Sequence, residues 1–329
     1  MNCAFARLRI EYRVRVKTST APVLVRAIII FLLLGPSLYA QMARGKAKFL
    51  GNILGSAQAD LDFATYWNQV TPENSGKWGS VEPTRGLMEW SGLDAMYHYA
   101  QSHGFIFKQH NFIWGRQQPS WMESLPPDEQ KLEATKWISQ YGQRYPDTQF
   151  IDVVNEPIHD PPGYKKALGG DGSTGWDWVI WAFSTARQYC PHSKLLLNEY
   201  NILAGGKDLE QFMAIVNILK QRDLIDGMGV QGHGLENVSA ATISAALSRL
   251  ESLELPIYIS ELDINSANDD AQKRQYESLF PILWQNSAVR GVTLWGYKQN
   301  HTWEHDTYLL RADGSERPAL VWLKGYLSH

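Results

Sequence analysis

Two glutamates occupy positions where catalytic carboxyl groups are expected in a protein built on parallel strands. Glu156 comes just after the apolar run at residues 151–154, and Glu261 comes just after the run at residues 257–259. Because the carboxyl ends of parallel strands meet on one face of a barrel, both side chains are expected to project into one cleft. One carboxyl group can then donate a proton while the other attacks as a nucleophile or activates water.

Polar neighbours of the two glutamates fit the same chemistry. Asn155 precedes Glu156 and can hold a hydroxyl group of a bound substrate, while His233 and Asp263 are expected to position Glu261 and keep it ionised. Cleavage of a glycosidic bond needs an acid at the leaving oxygen, a second carboxylate at the anomeric carbon, and hydrogen bonds that tighten in the transition state. These residues therefore predict a glycosidase site.

The elements that must position these residues alternate along the chain. Short apolar runs predict eight strands, most of which lead directly into polar clusters, and longer segments of helical period lie between them, clearest at residues 134–141, 212–219 and 243–250. The predicted strands lie near residues 49–54, 67–70, 105–107, 150–154, 195–197, 228–230, 256–259 and 292–295. This order predicts an α/β fold, a (β/α)8 TIM barrel, with Glu156 after the fourth strand and Glu261 after the seventh.

Composition limits the classes of partner. The 329 residues are 44% hydrophobic, enough for one large core, and 31 basic against 34 acidic side chains give a net charge of only -3. Such a balance favours a neutral substrate over nucleic acid. No metal-ligand or nucleotide-binding motif in a fitting context is found, so no cofactor or metal is predicted, and a monomer is expected.

The first 41 residues have the pattern of a secretory signal peptide. Basic side chains precede an apolar run at residues 27–34, and small residues follow at 37–40. The run is too short to span a bilayer, which disfavours the alternative of a permanent anchor. Residues 42–329 are then the catalytic domain of a periplasmic or extracellular protein without stable membrane association. Cys3 would be removed, so Cys190 is expected to be a buried thiol without a disulfide.

Aromatic residues near the predicted strand ends fit a cleft that binds sugars, because flat apolar sugar faces stack on aromatic rings. Trp137 and Trp181 instead have the helical spacing of core residues. The tryptophans expected in or beside the cleft are Trp78, Trp114, Trp121, Trp295 and Trp303.

Six segments together resemble one known family. They are Pro-Glu-Asn-Ser-Gly-Lys-Trp at 72–78, Asp-Val-Val-Asn-Glu-Pro at 152–157, Asn-Glu-Tyr-Asn at 198–201, Gln-Gly-His at 231–233, Ser-Glu-Leu-Asp-Ile at 260–264 and Leu-Trp-Gly at 294–296. In order and spacing they resemble glycoside hydrolase family 10, the endo-β-1,4-xylanases, over nearly all of residues 42–329. The resemblance implies a retaining hydrolase of xylan, a polysaccharide, with Glu156 as acid/base and Glu261 as nucleophile.

The resemblance also implies which residues contact the sugars and which supports the nucleophile. Asp263 is the supporting residue. The implied substrate-binding residues are Glu73, Asn74, Lys77, His110, Trp114, Asn155, Tyr200, Gln231, His233, Trp295 and Trp303.

The chain departs from the family pattern at the third strand and its loop. Lys108 and Gln109 stand where the family has Arg and Gly, and Gly115 stands where a His normally follows the loop Trp. Gly115 is expected to open volume beside a sugar, in part filled by Arg116, which would let the enzyme accept a bulkier or decorated sugar. The alternative is that neighbouring loop residues restore the missing contact.

Two other functions compete with xylan hydrolysis. The first is the same retaining chemistry on another β-glycan, because barrels of this kind share two glutamates and differ in their loops. The second is a barrel that has lost catalysis and only binds carbohydrate or inhibits another enzyme. The presence of both glutamates together with Asn155 and His233 argues against the second.

Overall fold

The structure is a computed structural model and describes residues 41–56 and 62–328. The predicted signal peptide falls almost entirely on residues 1–40, outside the described residues. Within the described ranges, no helix has both the length and the apolar character needed to cross a membrane.

Eight parallel strands close into a barrel in the order in which they occur along the chain. The predicted number of strands and the (β/α)8 architecture are confirmed, and the fourth and seventh strands carry Glu156 and Glu261 at their carboxyl ends. Every strand is buried along most of its length, as expected for a parallel sheet covered by helices. The strands are β1 (Phe49–Leu54), β2 (Gln69–Pro72), β3 (Ile106–Ile113), β4 (Phe150–Asn155), β5 (Lys194–Glu199), β6 (Gly227–Gly232), β7 (Ile257–Leu262) and β8 (Val289–Leu294).

Helices surround the barrel, and the three predicted from periodicity lie within α4, α6 and α7. Local sequence explains several starts: α4 has proline in its first turn, and Asn268 accepts a hydrogen bond from the backbone N–H of Ala271 at the start of α8. The helices are α1 (Phe63–Tyr66), α2 (Trp78–Val81), α3 (Ser91–His103), α4 (Pro127–Arg144), α5 (Asp177–Tyr189), α6 (Gly206–Lys220), α7 (Ala240–Glu251), α8 (Asp269–Gln285) and α9 (Pro318–Leu327).

An apolar plug fills the amino-terminal end of the barrel. Phe49, Phe150 and Tyr258 pack with ring centroids 4.8–6.0 Å apart, and Leu196 completes the cluster. Gly291 makes room for the plug, because a Cβ there would lie 2.2 Å from the Phe49 ring. Since this end is closed by apolar side chains, the polar groups inside the barrel gather at the opposite end.

Two of the tryptophans expected near the cleft belong to the core between the barrel and its helices. The Trp78 ring is 2% exposed and stacks on Trp137 with the ring planes 3° apart, while Trp121 packs edge-on against Trp78. The indole N–H groups of Trp78 and Trp121 both donate to Glu82. The predicted stacking on sugars is therefore wrong for Trp78 and Trp121, and the predicted core position of Trp137 is confirmed.

Cys190 follows the last residue of α5 and is buried, as predicted. It is a free thiol, and burial raises its pKa to about 12. A thiol of this kind is a core group without thiolate reactivity.

Candidate active site

A cleft of about 710 Å³ opens at the carboxyl ends of the strands. Every side chain predicted as catalytic, supporting or substrate-binding lines this cleft. They are Glu73, Asn74, Lys77, His110, Trp114, Asn155, Glu156, Tyr200, Gln231, His233, Glu261, Asp263, Trp295 and Trp303. The barrel thus brings together residues as distant in the sequence as Glu73 and Trp303, which are 230 positions apart.

Glu156 is held from both carboxyl oxygens. Oε2 accepts a hydrogen bond from Trp114 Nε1 at 2.8 Å, and Oε1 accepts one from Gln231 Nε2 at 3.0 Å. Its backbone has a φ of +52°, a left-handed conformation uncommon for a residue with a side chain. Backbone hydrogen bonds to Asn198 and from Asp160 stabilise this turn, so the carboxyl group is held in one position.

The environment of Glu156 favours the protonated form. Burial raises the pKa of Glu156 to about 7, and the negative charge of Glu261 acts in the same direction. The hydrogen bonds from Gln231 and Trp114 oppose this shift without cancelling it. A carboxyl group with such a pKa is able to donate a proton near neutral pH.

Glu261 is buried deeper than Glu156 and is surrounded by donors. Oε1 accepts a hydrogen bond from Asn198 Nδ2 at 2.7 Å, and Oε2 lies 3.1 Å from His233 Nε2. On the other side of the imidazole, His233 Nδ1 lies 2.9 Å from Asp263 Oδ2. His233 is therefore placed between two carboxylates.

The two glutamates have opposite pKa shifts. Burial alone would raise the pKa of Glu261, but the hydrogen bond from His233 and nearby positive charges, including that of Lys108, lower it to about 2. Burial likewise disfavours a charged imidazole, yet contact with Asp263 and Glu261 raises the pKa of His233 to about 10. At neutral pH Glu261 is a carboxylate paired with a cationic His233.

A buried group of polar and charged side chains lies beneath the cleft and includes Lys108, which stands where the family has Arg. Asp152 Oδ2 lies 2.9 Å from Lys108 Nζ and 2.9 Å from His110 Nδ1. Burial lowers the pKa of His110, so the ring is neutral with Nδ1 donating to Asp152. The other nitrogen, Nε2, is then an acceptor. Lys108 thus supplies the cation that pairs with Asp152.

Asn198 connects the two halves of the site and was not singled out by the sequence. Its Nδ2 donates to Asn155 Oδ1 at 2.8 Å as well as to Glu261, and its Oδ1 accepts from Ser260 at 2.6 Å. Because the Oδ1 of Asn155 is engaged in this way, its amide nitrogen is left to donate to a ligand. The sequence signals for Asn198 are its place in a polar cluster at the end of a predicted strand and in the segment at 198–201, and neither assigns it a role.

One wall of the cleft comes from the loops after β2 and β3. Lys77 Nζ donates to Gln117 Oε1 at 2.6 Å and lies 5.0 Å from the centre of the Trp114 ring, while Gln117 donates to Asn74. Gln117 lines the cleft and was missed in the sequence, where it reads as an ordinary loop residue.

Aromatic rings form the remaining surfaces. Trp295 is buried and packs edge-on against His110, whereas the Trp303 side chain is 53% exposed and its Nε1 donates to Asp263 Oδ2 at 2.5 Å. Tyr200 stacks on His159, with ring centroids 4.1 Å apart. These rings offer flat apolar faces of the kind on which sugar rings stack.

The extra volume expected at Gly115 is absent. A Cβ at this position would lie 2.4 Å from the carbonyl oxygen of Asp160 and 2.6 Å from that of Pro161. The backbone of residues 160–161 fills the space, and Gly115 N donates to the Asp160 carbonyl at 2.9 Å. Arg116 does not fill the gap either, because its Nε donates to the Asp160 side chain. The expected tolerance for a bulkier sugar loses its physical basis.

The site combines a carboxyl group with a raised pKa, a carboxylate in contact with a histidine, and hydrogen-bond donors in one cleft large enough for sugar rings. These are the groups needed to cleave a glycosidic bond, in which an acid protonates the leaving oxygen and a carboxylate attacks the anomeric carbon. Within residues 41–56 and 62–328, no group of three or more His, Cys, Asp or Glu side chains is arranged to hold a metal ion.

Comparison with known proteins identifies the class. The sequence profile of glycosyl hydrolase family 10 matches residues 38–326. Endo-1,4-beta-xylanase B of Cellvibrio japonicus is 42% identical over 279 residues, which cover 84% of this chain and 45% of that protein. Endo-1,4-beta-xylanase A of Phanerodontia chrysosporium is 29% identical over 264 residues, 76% of this chain and 64% of that protein. The chain belongs to glycosyl hydrolase family 10.

The chain spans less than two thirds of the length of either of these two relatives, so the similarity concerns one part of each. Among solved structures, GH10 from Paenibacillus barcinonensis superposes with a TM-score of 0.76 at 22% identity, over 86% of this chain and 95% of that one. Xylanase 10B from Thermotoga maritima gives a TM-score of 0.76 at 21% identity, with the same coverage. These two comparisons show a shared fold.

The close packing at Gly115 leads to a prediction. Gly115→His forces the backbone of residues 160–161 to move, and overpacking of this kind typically costs about 1–3 kcal/mol. We expect a lower Tm and lower activity in this variant, although it restores the residue type usual in the family. Thermal denaturation and kcat/KM are the measurements. Gly325→Ala is the matched control, because a Cβ there meets nothing within 4 Å. An unchanged Tm for Gly115→His would contradict the packing argument.

Proposed function

We propose that this protein is a retaining endo-β-1,4-xylanase that hydrolyses internal bonds of xylan by double displacement. The observation that carries the proposal is that Glu156 and Glu261 line one cleft with different partners: neutral donors hold Glu156, whereas Glu261 contacts His233. Family membership and the two relatives named as endo-1,4-beta-xylanases support the choice of substrate.

The geometry supports a role for each glutamate. Glu261 is ionised by its contact with His233 and attacks the anomeric carbon, which gives a covalent glycosyl-enzyme. Glu156 is protonated and gives its proton to the leaving glycosidic oxygen. In the second step the Glu156 carboxylate takes a proton from water, and that water releases the sugar from Glu261.

Neighbouring residues hold the sugar during these steps. The free amide nitrogen of Asn155 donates to a sugar hydroxyl next to the reacting carbon, while Asp263 positions His233. Sugar rings stack on three tryptophans, Trp114, Trp295 and Trp303. The residues that make polar contacts with other sugars of the chain are Glu73, Asn74, Lys77, His110, Tyr200 and Gln231.

The proposed setting of the enzyme follows from the amino terminus and the charge. A basic segment, an apolar run and small residues within positions 1–41 support secretion after removal of a signal peptide, which leaves a catalytic domain from residue 42 to residue 329. We infer a monomer that acts on polysaccharide without stable membrane association.

Release of reducing ends from different polysaccharides tests the substrate. We expect activity on unsubstituted linear xylan to exceed that on cellulose and on mixed-linkage glucan by at least about tenfold, because a site built for one sugar rejects another by roughly this factor or more. Higher activity on either glucan would assign the same retaining chemistry to a different β-glycan. No activity on any of the three would favour a barrel that only binds carbohydrate.

Variants of the two glutamates test the assigned roles. Glu156→Gln should lose activity on xylan yet keep much of it on an aryl glycoside whose leaving group needs no proton, whereas Glu261→Gln should lose both. Each loss on xylan should exceed about a hundredfold. Kinetics on xylan and on the aryl glycoside are the measurements.

Azide provides the control for this assignment. Azide attacking in place of the missing nucleophile of Glu261→Gly should yield a glycosyl azide of inverted configuration. A retained product from that variant would require the two roles to be exchanged.

The pKa values predict the pH dependence of kcat/KM. Glu156 must be protonated, and its pKa is raised to about 7, so activity should be full below that value and fall as pH rises through it. Glu261 must be ionised, and its pKa is lowered to about 2, so activity should fall only in strong acid. The pH profile of kcat/KM is the measurement. On the activated aryl glycoside, whose leaving group needs no proton, the wild type should lose the basic limb that it shows on a xylo-oligosaccharide, and a limb that persists there would assign the titration to another group.

A further inference from the structure

Arg116 is an exposed cation at the rim of the cleft. Among the described residues that line the cleft, the lysine and arginine side chains are Lys77 and Arg116. Lys77 is 6% exposed and donates to Gln117, whereas the Arg116 side chain is 65% exposed. Arg116 is therefore the strongly basic group that an incoming ligand meets at the rim.

The guanidinium group of Arg116 is anchored on one edge only. Its Nε donates to Asp160 Oδ1 at 2.8 Å, and in the described part of the chain its two terminal nitrogens donate no hydrogen bond. A guanidinium group held at Nε keeps a planar fork at Nη1 and Nη2, which matches the two oxygens of a carboxylate. The anchored side chain is thus oriented for a second, bidentate partner.

Gly115 is what allows this anchor to form. Because Gly115 has no Cβ, the backbone of residues 160–161 packs directly against it, and this contact brings the Asp160 side chain within reach of Arg116. Asp160 N also donates to the backbone carbonyl of Glu156 at 2.8 Å. The anchored guanidinium is thereby tied to the turn that carries the proposed acid/base, so it lies beside the sugars next to the bond that is cleaved.

A charged group at this place has no counterpart in the neutral main chain of a xylan. The rest of the cleft disfavours an anion, because Glu73, Glu236 and Glu304 are among its lining residues. A negatively charged branch on the polysaccharide is repelled by the acidic lining and is attracted to Arg116 at the rim. The charge pattern therefore fits a substrate with a neutral backbone in the cleft and an anionic branch outside it.

We propose that Arg116 binds the carboxylate of a uronic acid branch on the xylan chain, and that the enzyme prefers xylan that carries such branches. This inference rests on the proposed function and names the substrate class more closely. The carboxylate pairs with the terminal nitrogens of Arg116, while Asp160 fixes the plane of the guanidinium group through Nε.

Two oligosaccharides that differ in one group test the proposal. The first is a xylo-oligosaccharide with one glucuronic acid branch, and the second is the same oligosaccharide with that carboxyl group reduced to hydroxymethyl. We expect the wild-type kcat/KM to be about two- to fivefold higher on the charged form, the range that exposed ion pairs give. The ratio should approach one at high ionic strength, because salt screens an exposed ion pair.

Arg116→Ala should bring the ratio of the two kcat/KM values to about one. Arg222→Ala is the matched control, because it removes another exposed positive charge, just after α6, the helix that leads into the amino-terminal end of β6. The control should keep the wild-type ratio. Equal rates of the wild type on both oligosaccharides, or a preference that survives in Arg116→Ala, would overturn recognition by Arg116. A wild type inactive on unsubstituted xylan as well would instead overturn the proposed function.

Discussion

His233 lies between Glu261 and Asp263 and carries the positive charge that keeps the Glu261 carboxylate ionised inside the barrel. A buried carboxylate without such a partner would take up a proton, because desolvation of an isolated charge costs several kcal/mol. The charge maintained on Glu261 in turn adds to the burial that keeps Glu156 protonated. Burial of Glu156 and the positive charges around Glu261, with His233 in direct contact, thus separate the pKa values of two chemically identical side chains, and the proposed division into nucleophile and acid depends on that separation.

The barrel makes this arrangement possible because neighbouring strands hold the interacting groups in register. Gln231 and Glu261 are paired residues of β6 and β7, and Asn155 and Asn198 are paired residues of β4 and β5. The side chains of Asn155 and Asn198 are hydrogen-bonded to each other, and each strand holds its polar side chain without a long flexible connection, which lowers the entropic cost of ordering it. The apolar plug at the other end of the barrel confines these polar groups to one layer, where Asn155, Asn198, Glu261, Gln231 and Glu156 are joined by hydrogen bonds.

Much of this layer could be predicted from the sequence, since most of the predicted strands end in a polar cluster and strand order places Glu156 and Glu261 at the same end of the barrel. Features that depend on contacts between distant loops could not. Trp78 lies beside a motif that lines the cleft, yet its ring packs on Trp137, because the short helix α2 turns it towards the core. The sequence predicted an empty space beside Gly115, but the backbone of residues 160–161 occupies that space. The composition of a loop does not reveal where its backbone will pack. Asn198 was overlooked for a related reason: its three side-chain partners, Asn155, Ser260 and Glu261, belong to other strands.

The rim of the cleft is built differently from its floor. At the floor, side chains from adjacent strands contact each other, so a substitution there disturbs the charges on Glu156 or Glu261. At the rim, contacts join separate loops, as between Gly115 and Asp160 or between Gln117 and Asn74, and most of these groups are in contact with solvent. Trp303 is the point where the two layers meet, because its exposed ring faces the cleft while its N–H donates to Asp263, the partner of His233. Arg116 has no such link to Asp263. Its partner Asp160 contacts Glu156 through a backbone hydrogen bond. Selection for different branches on a polysaccharide can therefore act at Arg116 without changing the charge on Glu261.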